Sequence, residues 1–206
     1  MQGKQILHIP GVPTERQKEF FASRARFTAY GGARGGGKSH AVRLKATLLC
    51  LRYSGIRVLI VRRSYPELYE NHIKIMTREL AGVASYKDSD KSLTFKNSSR
   101  IKFGYCSSDT DLLQYQGVEY DVIFMDEATH FTEYQFSVIG ACMRGANNFP
   151  KRFYLTCNPG GPGHMWVKRL FVDRQYTQGE RPEEYTFIRS RVQDNHALMA
   201  ADPDYV

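Results

Sequence analysis

Several common kinds of site are missing from this 206-residue sequence. Its four cysteines, Cys50, Cys106, Cys142 and Cys157, are widely separated, and none forms a CxxC pair or joins a histidine at metal-ligand spacing. No HExxH sequence occurs either. We therefore expect no zinc site, and we expect the cysteines to be reduced thiols in a cytosolic compartment.

Long apolar segments are also missing. No apolar run approaches the roughly 20 residues of a membrane-spanning helix, and the N-terminal sequence MQGKQILHIPGVP lacks the apolar core of a signal peptide. With 42% hydrophobic and 24% charged residues, the sequence predicts one soluble, internal globular domain over residues 1–206.

Acidic residues are outnumbered by basic ones. The chain has 29 Lys and Arg against 21 Asp and Glu, a net charge of +8 and an isoelectric point near 9.3. Such an excess suits a polyanionic partner, although many basic surfaces simply face solvent. Nucleic acid is favoured over a membrane, because no basic amphipathic helix or lipidation motif is present.

Glycine is concentrated in one segment, YGGARGGGKSHAVRL at residues 30–44. Gly32 is followed after four residues by Gly37, Lys38 and Ser39, which fits the phosphate-loop pattern G-x-x-x-x-G-K-[ST]. Glycines let backbone N–H groups approach phosphate oxygens, the lysine reaches the β- and γ-phosphates, and the hydroxyl coordinates Mg²⁺. A glycine-rich surface turn is the alternative interpretation.

Strands and helices are predicted to alternate along the chain. Apolar runs and turn residues predict strands at 26–30, 57–62, 92–96, 100–105, 121–125, 152–157 and 185–188, and helices at 13–23, 41–53, 66–80, 132–144 and 165–172. The strands at 92–96 and 100–105 should form a hairpin. This order predicts an α/β domain with a largely parallel sheet, in which ligands bind at the carboxyl ends of the strands.

Two acidic residues, Asp126 and Glu127, follow the predicted strand at 121–125. The arrangement matches a Walker B element, in which the first acid holds the Mg²⁺ shell and the second polarises a water against the γ-phosphate. A solvated acidic turn is the alternative. The guanine-reading sequence NKxD is absent, so ATP is favoured over GTP.

Polar residues elsewhere can also reach the phosphates. Thr156 and Asn158 lie at the end of the next predicted strand, where they can sense the γ-phosphate, although Asn158 precedes a proline and can equally begin a turn. Arg34 is the one charged residue between the glycines of the loop. Its guanidinium could lie over the β- and γ-phosphates, pair with a carboxylate, or remain exposed.

These segments together resemble a known family, the ATPase domain of the large terminase subunit, which is the DNA-packaging motor of tailed bacteriophages. The resemblance rests on segments that occur in the family's order: RQKEFFAS, AYGGARGGGKS, VLIVRRSYPEL, LLQYQGVEYDVIFMDEATHF and YLTCNPGGPGHMWVKRLF. It implies a P-loop NTPase fold of the ASCE type, with a mostly parallel central sheet flanked by helices. It also implies that the protein hydrolyses ATP to translocate double-stranded viral DNA into a procapsid.

The resemblance also implies roles for individual residues. It places Gln17 near the adenine, makes Arg34 a cis-acting arginine and Glu127 the catalytic glutamate, and assigns coupling to residues 156–158, including Asn158. The phosphates and Mg²⁺ of ATP would be held by Gly32, Ala33, Arg34, Gly35, Gly36, Gly37, Lys38, Ser39 and Asp126.

The sequence departs from the family in two ways. Where some members carry an arginine before a glycine, this chain has Gln116 and Gly117, so we choose Arg144 as the trans-acting arginine, with a solvated helix-end arginine as the alternative. The family's nuclease domain has no counterpart here, so we expect an excised N-terminal domain. Candidate DNA or phosphate contacts are Arg62, Arg63, Lys168 and Arg169.

The partners implied by the resemblance are double-stranded DNA, a portal protein, a small terminase subunit and further copies in a ring, within the cytoplasm of a bacterial host. We expect the isolated domain to be monomeric. Three other functions remain open: a related DNA helicase, a nucleotide-binding assembly module without turnover, and a small-metabolite kinase. Thr129 occupies the key fourth position of a DEAD-type box, which disfavours the helicase.

Overall fold

The computed structural model describes residues 12–33, 35–194, 199–200 and 202, and its centre is one eight-stranded sheet. The strands are β1 Phe27–Gly32, β2 Arg57–Arg62, β3 Ala84–Lys87, β4 Ser92–Phe95, β5 Arg100–Tyr105, β6 Val122–Met125, β7 Arg152–Cys157 and β8 Tyr185–Ser190. The α-helices are α1 Glu15–Ala22, α2 Lys38–Arg52, α3 Tyr65–Leu68, α4 Lys74–Glu79, α5 Glu133–Ala141 and α6 His164–Val167.

The strand order is β3-β4-β5-β2-β6-β7-β1-β8. The strands from β5 to β8 in that order run parallel, whereas β4 is antiparallel to both β3 and β5. The mostly parallel sheet predicted from the sequence is therefore confirmed. Because β7 lies between β6 and β1, the carboxyl ends of these three strands are neighbours.

Helices cover both faces of the sheet, and alternate strand residues point to opposite faces. Tyr30 belongs to the apolar cluster under α1 and α2, where its ring stacks on Phe20 at 5.2 Å between centroids. Its neighbour Ala29 belongs to the cluster under α5, which also contains Trp166. Burying both faces fixes the strand register, and this register in turn places the polar residues that follow the strands.

Predicted and observed elements agree closely where the sequence has a clear apolar strand pattern or a clear helix N-cap. β2 and β7 have the predicted bounds, and the hairpin of β4 and β5 is confirmed. Thr14 and Thr132 are the N-caps of α1 and α5, and each forms a capping box with the glutamine three residues later. β3 was not predicted, because this short edge strand alternates half-buried and exposed residues without an apolar face.

Two predicted helices are interrupted by π-helical turns. Tyr69–Ile73 separates α3 from α4, and Lys168–Val172 follows α6. A π turn inserts an extra residue per turn, so side chains after it change direction, and hydrophobic spacing alone does not reveal it. Within the described ranges, no helix is both long and apolar enough to cross a membrane.

Candidate nucleotide site

The predicted phosphate loop connects β1 to α2 at the carboxyl edge of the sheet. Gly37 caps α2 in the left-handed region with φ 68°, and Gly32 has φ 138°, so both positions need the freedom of glycine. The loop packs closely on β8, because a Cβ on Gly36 would overlap Ser190 Oγ. The N–H of Ala33 donates to Ser190 O at 3.0 Å. Strand β8 therefore supports the phosphate loop through Ser190.

Lys38 is the first residue of α2, and its ammonium reaches back across the loop to donate to Ala33 O. The side chain is buried, and burial lowers the pKa of Lys38, while Cys157, Asp126 and Glu127 act in the opposite direction. A buried cation against the backbone of the loop suits a phosphate group better than a neutral ligand.

Ser39 and Asp126 bring the two halves of the site together. Ser39 Oγ donates to Asp126 Oδ2 at 3.0 Å, although the residues are 87 positions apart. A hydroxyl and a carboxylate are hard oxygen ligands of the kind that Mg²⁺ prefers, so this donor pair fits the ion. The contact follows from the strand order, since Ser39 comes after β1 and Asp126 after β6.

Asp126 is fully buried and has three further polar neighbours. Thr156 Oγ1 donates to Asp126 Oδ1 at 2.5 Å, His72 Nε2 donates to Asp126 Oδ2 at 2.8 Å, and Arg62 Nε lies 3.4 Å from Oδ2. Burial alone would raise the pKa of the Asp126 carboxyl. The charges and hydrogen bonds of these neighbours outweigh burial and hold the pKa well below its usual range, so the carboxylate stays ionised.

Glu127 follows in an unusual conformation and has two cationic or polar neighbours. Its φ and ψ of 60° and 55° are left-handed, and its N–H donates to Thr156 Oγ1 at 2.9 Å. Its carboxylate lies 2.7 Å from Arg62 Nη2 and 3.2 Å from His130 Nδ1. A left-handed backbone at a non-glycine residue costs energy, and such residues cluster at functional sites.

A cavity of about 770 Å³ lies over these groups. Its lining includes loop residues 35–39 together with Glu127, Thr156 and Asn158. Asn158 Oδ1 is buried and has no hydrogen-bond partner within the described residues. An unsatisfied buried acceptor costs free energy unless a ligand or water reaches it, so the cavity combines a phosphate cradle, a carboxylate and an unpaired amide oxygen.

Gln17 contacts the loop from the side of α1. The side chain is 5% exposed, and its Nε2 donates to Gly37 O at 3.1 Å. Its Oε1 accepts from the N–H of Thr14 at 3.0 Å. The resemblance places this residue near the adenine; in the structure both polar atoms of the side chain already have protein partners.

The two arginines predicted to act on the phosphates are not seen at the site. Arg34 is outside the described residues. Arg144 lies at the amino end of β6, where its N–H donates to Tyr120 O at 3.1 Å and its Nε is 3.8 Å from Glu119 Oε1. This is the edge of the sheet opposite the phosphate loop, so within one chain Arg144 is far from the site.

The candidate DNA contacts are mostly engaged within the chain. Arg62 is buried between the two acids, so it is not available to DNA, and the phosphate contact stays a prediction. Arg63 donates to His130 O at 2.7 Å, Lys168 pairs with Asp173, and Arg169 pairs with Glu133 and Glu180. Each of the four therefore has a partner within the chain, although that of Arg63 is an uncharged carbonyl.

Sequence reasoning missed His72 and the acid-pairing role of Arg62. Arg62 ends β2 at the ligand edge, and that position was a usable signal. His72 lies in the π turn Tyr69–Ile73, far from any motif, and its contact with Asp126 depends on the fold.

Comparison with known proteins then places the chain. A family model described as phage terminase large subunit matches residues 24–203. The chain belongs to that family. No curated protein matches the sequence.

Solved terminase structures share the fold at low sequence identity. The large terminase of a thermophilic bacteriophage matches with a TM-score of 0.73 and 16% identity, over 88% of this chain and 46% of that one. The ATPase domain of the Thermus phage P74-26 large terminase matches with a TM-score of 0.67 and 14% identity, over 92% and 85% of the two chains. This chain thus spans about half the length of the first of these two proteins.

That first protein, called here the thermophilic bacteriophage terminase, has also been solved with nucleotides. Its complex with ADP matches at 18% identity with a TM-score of 0.72, covering 90% of this chain and 47% of that one. Its complex with ATP-gamma-S matches at 17% identity with a TM-score of 0.70, covering 90% and 46%. At such identities, the likeness establishes a common fold with the terminase ATPase domains.

Proposed function

We propose that this chain is an ATPase domain that powers the movement of double-stranded viral DNA into a procapsid. The observation that carries the proposal is the Ser39–Asp126 contact of 3.0 Å, because it joins the phosphate loop to the Walker B acid across the sheet. Family membership and the nucleotide complexes of the thermophilic bacteriophage terminase support the same conclusion.

Each group has a specific task in hydrolysis. Lys38 and the amides of residues 35–39 would bind the β- and γ-phosphates, and Ser39 and Asp126 would hold Mg²⁺, which neutralises phosphate charge when bound. Glu127 would accept a proton from water as the water oxygen bonds to the γ-phosphorus. The bond to the bridging oxygen breaks, leaving ADP and phosphate. Arg34 is proposed to lie over the developing charge.

Coupling to DNA would pass through Thr156. Its hydroxyl accepts from the Glu127 N–H and donates to Asp126, so a shift of the carboxyl end of β7 alters both acids at once. Asn158, with its unpaired Oδ1, would respond to loss of the γ-phosphate. We propose double-stranded DNA, a portal protein, a small terminase subunit and further copies in a ring as partners, in the bacterial cytoplasm. Arg144 would act on a neighbouring site.

One observation favours a second function, a nucleotide-binding assembly module without turnover. Glu127 Oε1 lies 2.7 Å from Arg62 Nη2, so the oxygen that would accept the proton of a water is already engaged by an arginine. On this alternative, Glu127 would hold Arg62 in place and would not activate water.

Phosphate release separates the two functions. It is measured for the chain with Mg²⁺ and ATP, with and without duplex DNA, and for Glu127→Gln. The ATPase proposal predicts turnover that Glu127→Gln reduces at least about a hundredfold while ATP affinity persists, because the proton acceptor is lost and the phosphate cradle is not. Binding without turnover in all three samples supports the assembly module.

A further inference from the structure

We propose that Arg43 of α2 binds a terminal phosphate group in the nucleotide cavity. The ligand is a tetrahedral phosphate, either the γ-phosphate of ATP or the phosphate ion released from it. Arg43 lines the cavity together with His40 and Asn71, outside the phosphate-loop pattern and the Walker B element. The inference rests on the proposed function, since it concerns which part of a nucleoside triphosphate the same cavity recognises.

The position of Arg43 on α2 directs it to the metal end of the site. Arg43 follows Ser39 by four residues, so both lie on the same face of the helix, one turn of about 5.4 Å apart. Ser39 Oγ contacts Asp126 Oδ2 at 3.0 Å, and this pair would hold Mg²⁺. Because the ion bridges the β- and γ-phosphates, a cation one turn farther along α2 should face the terminal phosphate.

The guanidinium of Arg43 has unused hydrogen-bond donors. Nη1 donates to Asn71 O at 2.6 Å, whereas Nε is buried and neither Nε nor Nη2 has a partner within the described residues. No carboxylate of this part of the chain forms an ion pair with Arg43. Burial lowers the pKa of Arg43, while the charges of Glu79 and Asp126 act in the opposite direction, and an arginine stays protonated under both influences. A half-buried cation without an anion is unfavourable, and a phosphate oxygen would supply the missing partner.

The π turn Tyr69–Ile73 holds Arg43 and the Walker B acid at once. Asn71 O accepts from Arg43, and the next residue, His72, donates to Asp126 Oδ2 at 2.8 Å. Such turns are rare and occur often at functional sites. This one fixes a guanidinium relative to the carboxylate that would hold Mg²⁺, as a phosphate in contact with both the ion and the arginine requires.

The cavity lining carries more positive than negative charge. Lys38 and Arg43 are cations, and Glu127 is the one acid among the described lining residues. That acid already pairs with Arg62 at 2.7 Å, so it does not neutralise Arg43. Lys38 belongs to the loop that would bind the phosphates of ADP and ATP alike, which leaves Arg43 for the group that only ATP carries.

The variant that tests the contact is Arg43→Gln, which removes the charge and keeps a side-chain N–H donor. Arg52→Gln is the matched control, because Arg52 is exposed at the other end of the same helix and forms no ion pair within the described ranges. Circular dichroism checks that the variants fold. If Arg43→Gln does not, Arg43→Lys takes its place: it keeps the charge without the fork, so each loss expected below falls to about threefold.

The first experiment compares ligands with and without the terminal phosphate. Isothermal titration calorimetry with Mg²⁺ gives the dissociation constants of ADP and ATP-gamma-S for the parent chain and both variants. If Arg43 contacts the γ-phosphate, Arg43→Gln weakens ATP-gamma-S binding about ten- to a hundredfold, because a charged hydrogen bond is lost, and leaves ADP binding unchanged. Equal weakening of both ligands would assign Arg43 a purely structural role and overturn the proposal.

The second experiment uses inorganic phosphate as the probe, titrated into each chain saturated with Mg²⁺ and ADP. If Arg43 holds the released phosphate, Arg43→Gln binds the probe about tenfold more weakly than the parent chain and Arg52→Gln. A loss confined to ATP-gamma-S assigns the contact to the γ-phosphate, and a loss confined to the probe assigns it to the released ion. Unchanged binding in both experiments would overturn the proposal and leave the proposed function standing, whereas a parent chain that binds neither nucleotide would refute both.

Discussion

Arg62 determines the charge balance of the site at the scale of single residues. It is 5% exposed and lies between two adjacent carboxylates, 2.7 Å from Glu127 Oε1 and 3.4 Å from Asp126 Oδ2. Two neighbouring negative charges in a buried place repel one another strongly, and one guanidinium offsets both. Its role is therefore to let the two carboxylates lie close together.

Removing this cation should destabilise the fold. Arg62→Ala leaves two acids partly unpaired, and breaking a buried ion pair costs about 3–5 kcal/mol of unfolding free energy. Arg16 is the matched control: its pair with Glu19 is exposed, with 47% and 50% of the side chains accessible, so Arg16→Ala should cost less than about 1 kcal/mol. Urea denaturation monitored by circular dichroism measures both. Equal losses in the two variants would show that Arg62 contributes no more than a surface arginine.

At the scale of elements, α1 and α2 are joined by an unusual lysine. Lys45 is 4% exposed and its ammonium lies 4.2 Å from the centre of the Tyr154 ring, while it donates to two carbonyls of α1. Burial, with a smaller effect from Arg152, lowers the pKa of Lys45 to about 7. The pairing of these helices is therefore sensitive to pH near neutrality.

The sign of this sensitivity follows from linkage. Between about pH 7 and the ordinary lysine value of 10.5, the unfolded chain holds the Lys45 proton and the folded chain releases it, so stability rises with pH. Burial raises the pKa of Cys50 to about 12, which opposes the trend above about pH 9. From pH 7 to 9, the parent chain should gain about 1–2 kcal/mol relative to Lys45→Met. Parallel pH profiles from urea denaturation would contradict the assignment.

The sequence predicts the elements that carry local motifs, but it does not predict the contacts between distant elements. The phosphate loop and the pair Asp126 and Glu127 are local patterns next to strong apolar strands, so their positions at the carboxyl edge of the sheet could be predicted. The contact of His72 with Asp126 could not, because it requires a π turn and a particular strand order. The support of the loop by Ser190 likewise depends on β8 lying beside β1, which no local pattern encodes.

At the scale of the whole molecule, the apolar surface is used within the chain. Helices cover both faces of the sheet, and the exposed large apolar side chains are distributed over several elements, with Leu48 and Leu51 together on α2 and Leu113 and Tyr134 on others. A stable protein interface usually buries more than about 1,000 Å² with a well-packed apolar centre. The exposed apolar residues of the described surface do not supply such a centre.

The chain should therefore be monomeric and slow on its own. Light scattering at micromolar concentration should give a mass near 23.6 kDa.

If a neighbour completes each site, specific ATPase activity should rise with protein concentration, because transient contacts become more frequent while the chemistry within one chain is unchanged. Arg144→Ala should remove this rise and leave the basal rate intact, since Arg144 lies at the opposite edge from its own phosphate loop. A stable oligomer at micromolar concentration would contradict the expectation for the assembly, and an unchanged rise in Arg144→Ala would exclude this arginine as the trans-acting group.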